Sequence, residues 1–141
     1  MTNKELINLV ETEFSPEKIN TKIFGNDIGC NQFRELATLC KKAECCDEIE
    51  ILIKYDTAKD NSCKTWGAYH NGVTFGDAVL DCIKRVKETD TEQDERAILN
   101  DLSIFFGYLY RYARIQKSNA DKEHQFDKIV TTKNKVIDKE K

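Results

Sequence analysis

Pro16 is the only proline in the chain, and after residue 73 only Gly76 and Gly107 interrupt it. So long a stretch without backbone breakers, filled by mixed charged and apolar residues, is the signature of helices rather than of strands joined by turns. The segment IFFGYLYRYAR (104–114) tests this, because Tyr108, Tyr110 and Tyr112 alternate as a strand would. At 100° per residue, however, Ile98, Leu102, Phe105, Leu109 and Tyr112 follow one another at spacings of 4, 3, 4 and 3 and form one continuous apolar stripe. Asn100, Ser103, Gly107, Arg111, Arg114 and Ser118 then fall on the opposite side. A strand over the same residues leaves Ile98 and Leu102 outside the pattern, so the helix accounts for more of the sequence.

The rest of the chain divides in the same way. Residues 2–13 suit a short helix, and residues 14–30, with Pro16, Gly25, Asn26, Asp27 and Gly29, read as an irregular connection. Asn31 is placed to cap a helix running to Ala43, with Phe33, Leu36, Ala37 and Cys40 on one face. Residues 48–55 (EIEILIKY) alternate like a strand, but no second good strand exists to pair with them. Asp47 and Glu50 have capping-box spacing, so 47–60 is expected to be a largely buried helix. A loop with an Asn71-Gly72 turn covers 61–73, and Thr74 with Asp77 opens a helix whose core face is Phe75, Val79, Cys82, Ile83 and Val86. After Thr89-Asp90-Thr91 the last helix is expected to run from about Thr91 to Ser118. The fold class is therefore all-α: one domain over 1–118, a compact bundle of about five helices with a less regular part over 1–30. A polar tail, a frayed helix or mobile segment, follows over 119–141.

Charge narrows the function classes. The 141 residues carry a net charge of −3, whereas free-standing nucleic-acid binders carry a basic excess. Residues 1–60 hold 8 Lys/Arg against 12 Asp/Glu, while residues 102–120 hold Arg111, Arg114 and Lys117 and no acid. Arginine grips phosphate oxygens bidentately, and Gly107, which costs a helix interior about 1 kcal/mol relative to alanine, leaves room for a close approach. The alternative is a solvated helix face with Gly107 at a helix–helix contact. No apolar run approaches the roughly 18 residues of a membrane span, and no secretion signal is visible, so a cytoplasmic protein is expected.

The remaining chemistry is sparse. Six cysteines, at 30, 40, 45, 46, 63 and 82, contain no CxxC pair and match no common zinc spacing. They are expected to be reduced thiols that fill helix faces as small apolar groups. A Cys63–His70 nucleophile pair can be drawn, but no orienting third group is identifiable, and His70 reads as an ordinary loop residue. No phosphate-binding glycine loop and no catalytic signature is present, so neither enzyme activity nor a cofactor is expected.

Three segments, in order, resemble the small helical subunit of type III-A CRISPR effector complexes, the Csm small subunit. NQFRELATLC (31–40) resembles its polar start followed by an apolar helix. IEILIKYDTAK (49–59) resembles its second apolar helix, with Ala58 and Lys59 in the small and basic places. FFGYLYRYAR (105–114) resembles its aromatic last core helix, with Tyr112 two residues before Arg114. The sequence departs from the pattern in having Ala58-Lys59 for a Gly-Arg pair, Gly107 for an acidic residue, a longer 61–73 loop and the extra tail. The resemblance implies a non-catalytic subunit of an antiviral ribonucleoprotein, with several copies stacked head to tail beside the other subunits. It would hold target RNA, paired to guide RNA, through the sugar–phosphate backbone while base pairing reads sequence. The RNA-binding residues it implies are Arg34, Lys59, Arg111 and Arg114, with Lys41 and Lys64 as weaker members. An alternative is a helical protein-interaction module that does not touch nucleic acid.

Overall fold

The computed structural model describes residues 1–25 and 27–139. Its helices are α1 (Asn3–Glu13), α2 (Asp27–Lys42), α3 (Cys46–Lys59), α4 (Phe75–Thr89) and α5 (Glu95–Lys139), with a 3-10 turn at Thr21–Gly25. The all-α expectation holds, with one addition inside the 61–73 loop. Strands β1 (Tyr69–His70) and β2 (Val73–Thr74) form a minimal antiparallel hairpin. Asn71 and Gly72 form its turn at positive φ of 53° and 81°, the backbone that Asn-Gly tolerates best.

Helix α5 is the common partner of the bundle. Helix α2 lies antiparallel to it: Ser103 Oγ donates to the Ala37 carbonyl at 2.7 Å, and Arg96 reaches the far end of α2. Helix α1 runs parallel to it. The N-terminal ammonium of Met1 pairs with Asp101 at 3.0 Å, and the Tyr112 hydroxyl donates to the Phe14 carbonyl at 2.6 Å. Helices α3 and α4 form an antiparallel pair, joined by Lys87 and Glu50 at 3.4 Å and by Thr57 seated against Gly76.

The stripe on α5 is wider than one heptad-like seam. Ile98, Leu102, Phe105 and Leu109 are buried as expected, but so are Leu99, Phe106 and Ala113, because α5 packs against α1 on one side and α2 on the other. Ser103 is therefore not on the solvent side. It is buried against α2, and its hydroxyl is satisfied by the Ala37 carbonyl.

Four further expectations are corrected. Helix α2 starts at Asp27, so Asn31 sits inside it; the buried Cys30 carries the Phe33–Leu36–Cys40 face back one more turn. Helix α3 buries only Cys46, Ile49 and Ile53, while Ile51 and Tyr55 are 64% and 62% exposed, so one face rather than most of it is covered. Its N-cap is Cys45, with no side-chain bond of its own. Helix α5 starts at Glu95, because Gln93 adopts a positive φ of 54° and Asp94 accepts the Arg96 N–H at 3.0 Å as a cap. With no proline or glycine after Gly107, it continues past Ser118 to Lys139; Asn26 and residues 140 and 141 lie outside the described residues.

The connection over 14–25 is irregular in path but contributes Phe14, Ile19, Ile23 and Phe24 to the core. Phe75 is the centre of an aromatic cluster, with ring centroids 5.4 Å from Phe14, 6.0 Å from Phe24, 5.6 Å from Phe33 and 5.6 Å from Trp66. Rings at these separations add to the burial of their area. Trp66, from the loop, is thus a core residue, and its indole N–H is taken by the Gln32 side chain.

Candidate nucleic-acid interface

The six expected RNA contacts fall into two groups. Arg34 and Lys41 are exposed on α2, and Arg111 and Arg114 are exposed on α5. The helix register sets Arg34 and Arg114 within about one turn of each other along the α2–α5 pair, while Lys41 lies toward the Arg96 end of it and Arg111 toward α1. Ala37 meets Ser103, and Arg114 acts electrostatically on the thiol of Cys30, so Arg34, between Cys30 and Ala37, is level with the segment from Gly107 to Tyr110. Burial raises the Cys30 thiol above its ordinary value, and the nearby Arg114 charge opposes that rise.

Lys59 and Lys64 belong to the other group, at the C-terminal end of α3, which packs on α4. Lys59 is paired with Asp56 at 3.2 Å and lies 5.1 Å from the centre of the Tyr55 ring. Lys64 is exposed in a loop wrapped around the Asp60 carboxylate, which accepts the N–H groups of Thr65 and Gly67, each at 2.9 Å. That loop touches the Gln32 side of α2 through Trp66 rather than the side that carries Arg34. The structure does not draw all six residues into one stripe.

Gly107 is the position at which the sequence leaves room for another backbone. Within the chain nothing fills it: a Cβ built there meets no atom within 4 Å. The helix–helix explanation for this glycine is therefore excluded within the chain, and a half-buried gap is left one turn before Arg111. Arg111 leans the other way, over the ring of Tyr108 at 5.9 Å. There it forms the edge of a groove of about 430 Å³ between α1 and α5, with Ile7, Val10, Glu11, Tyr112 and Ile115 among its walls. No motif marks this groove in the sequence. Its one signal is Ile115, an apolar residue outside the α5 stripe.

Arg96 has no expected role from the sequence and proves structural. Its guanidinium donates to the carbonyls of Cys40, Lys41 and Ala43 at 3.3, 3.2 and 2.6 Å, so it caps the end of α2 beside Lys41. The cysteines divide clearly. Cys30, Cys40, Cys46 and Cys82 are buried filler, Cys45 is half-buried and Cys63 is exposed. Burial pushes the thiols of Cys40, Cys46 and Cys82 up to about 12, which keeps them protonated and unreactive. Cys63 Sγ is directed to the Asn61 carbonyl at 3.9 Å, and His70 Nε2 lies 3.3 Å from the Glu17 carbonyl, so each is engaged with backbone. Among the described residues, no group of three or more His, Cys, Asp or Glu is arranged to hold a metal ion, and no helix is long and apolar enough to cross a membrane.

Comparisons with protein families, with curated proteins and with solved structures find no match to this chain.

Proposed function

We propose that this chain is a non-catalytic small subunit of a type III-A CRISPR ribonucleoprotein, which holds target RNA by its sugar–phosphate backbone. The observation that carries the reading is that Arg34 and Arg114 stand exposed within about one turn of each other along the packed α2–α5 pair of an otherwise acidic molecule. The three segments that resemble the Csm small subunit lie in α2, α3 and α5, and the first and last of them supply these two arginines. A subunit present in several copies needs only a narrow basic face, because contacts summed over copies give avidity. Phosphate contacts of this kind are insensitive to sequence and sensitive to salt.

The test is Arg34→Ala with Arg114→Ala in the assembled ribonucleoprotein, with target RNA binding measured at several salt concentrations. The expected result is weaker binding and a shallower salt dependence, by about 0.7 in log–log slope for each single-strand phosphate that the variant no longer neutralises. Unchanged affinity and slope would exclude this face.

A second reading, a protein-interaction module, is favoured by one observation. Ile115, Phe126 and Ile129 on α5 are 56%, 65% and 54% exposed, and Phe126 and Ile129 are neighbours one turn apart on one face of the helix. Copurification of a stable protein complex free of RNA supports that reading over the first.

A further inference from the structure

A cavity of about 500 Å³ opens where the 14–25 connection, the β1–β2 hairpin and the start of α4 meet, and none of the six candidate RNA contacts lines it. That volume is within the roughly 300–1,000 Å³ of small-ligand sites. Ile19, Ile23 and Phe75, all buried, give it an apolar floor. Tyr69 and Val73 of the hairpin, 67% and 49% exposed, line its wall.

The wall is fixed in place. Strands of two residues cannot hold a hairpin alone. Here the Phe75 N–H donates to the Ala68 carbonyl and the Gly76 N–H to the Trp66 carbonyl, each at 2.9 Å. His70 Nε2, 3.3 Å from the Glu17 carbonyl, ties the hairpin to the 14–25 connection. A cavity with its walls already set spares a ligand the cost of ordering them.

We infer that this cavity binds a small organic amine, with its apolar body on the floor and its ammonium group at Asp77. The charges select the ligand. Among the described residues that line the cavity, Glu13, Asp77 and Asp81 are acids and Lys18 alone is a lysine or arginine. Glu13 is held by Lys18 at 3.3 Å and by Arg85 at 2.8 Å, and Arg85 also takes Asp81 at 3.2 Å. Two cations thus serve two acids, and among the described residues no ion pair engages Asp77. Asp77 is exposed, one turn before Asp81 on α4. An ammonium there gains a charge-assisted bond to a carboxylate that the fold has not already used. The exposed Tyr69 ring offers the same cation an aromatic face. An anion would meet three carboxylates, and a neutral ligand would gain the floor alone.

The test titrates phenethylamine into the full chain, with phenethyl alcohol as the same body without charge, and follows the backbone amide shifts. Both are expected to shift Tyr69, Asn71, Asp77 and Ala78, and the amine is expected to bind about tenfold more tightly than the alcohol. Asp77→Asn is expected to remove that advantage and leave the alcohol unchanged, whereas Tyr69→Ala weakens both. The helix dipole favours an acid in the first turn of α4, so helical circular dichroism first shows that Asp77→Asn is folded. Were it to unfold, the amine-against-alcohol ratio and Tyr69→Ala would still decide. Glu92→Gln, at an exposed acid outside the cavity, is expected to bind as wild type. N-acetylarginine amide stands for the side chain of a partner protein and is expected to bind more weakly than the amine, because its two amides lose water on an apolar floor. Absent shifts at the cavity, equal affinity for amine and alcohol, an Asp77→Asn variant that keeps the tenfold ratio, a Glu92→Gln variant that loses it, or tighter binding of N-acetylarginine amide would each overturn the inference.

Discussion

The guanidinium of Arg96 donates to the Ala43 carbonyl at 2.6 Å, while its neighbour Glu95 accepts the Cys46 backbone N–H at 2.9 Å. Two consecutive residues at the start of α5 thus serve two different helix ends: a cation at the C-terminus of α2 and an anion at the N-terminus of α3. Each charge sits where the helix dipole favours it. Replacing Arg96 by Met leaves three carbonyls at the end of α2 without this donor and is expected to cost about 1–3 kcal/mol. Urea denaturation at neutral pH measures it. Glu95→Gln keeps an acceptor but loses the charge, so a smaller loss, about 0.3–1 kcal/mol, is expected.

Gly76 permits the close contact of α3 and α4. A Cβ there would lie 2.9 Å from Thr57 Cβ and 3.0 Å from Thr57 Cγ2, and the Thr57 hydroxyl is tied to the Ile53 carbonyl at 2.7 Å. Gly76→Ala is therefore expected to destabilise by about 1–3 kcal/mol through overpacking. Thr57→Ala in the same chain should recover part of that loss, which a double-mutant cycle of thermal unfolding reads as coupling between the two sites.

Asp60 gives the fold an acid sensitivity. Burial pushes its carboxyl up, but the N–H groups of Thr65, Gly67 and Lys64 and the Ser62 hydroxyl outweigh burial and hold it below its ordinary value of 3.8. A carboxyl depressed in the folded state contributes stability above its unfolded value, and that contribution is lost as pH falls through the folded value. Glu13, held down by Arg85 at 2.8 Å and Lys18 at 3.3 Å against its own burial, acts in the same sense. Stability is expected to fall as pH drops below about 4.5, and Asp60→Asn should flatten that fall. Denaturation midpoints measured from pH 6 down to pH 3 would reveal it; an unchanged slope in the variant would show that Asp60 carries no such role.

How much of the fold is legible in the sequence follows from the range of the forces involved. The α5 stripe and the α4 face can be read because long periodic runs report their own burial, and Thr74 can be read as a cap because its partner Asp77 is three residues away. Ser103 reads to the wrong side because a serine at the margin of a stripe is buried or exposed according to a partner 66 residues distant. The caps supplied by Glu95 and Arg96 act across about fifty residues of chain and leave no local pattern. Lys59 and Lys64 group with the α5 arginines on charge and resemblance, and only the packing of α3 on α4 separates them.

Helix α5 also fixes the order of events during synthesis. It is the partner of α1, α2, α3, α4 and the 3-10 turn, and it is made after all of them. Phe14, Phe24, Leu6 and Cys40 leave the ribosome long before the surface that covers them. The core cannot close until residues 95–113 have emerged, so the first ninety residues wait as a nascent chain with their apolar groups uncovered, a stage at which chaperone contact and aggregation compete with folding.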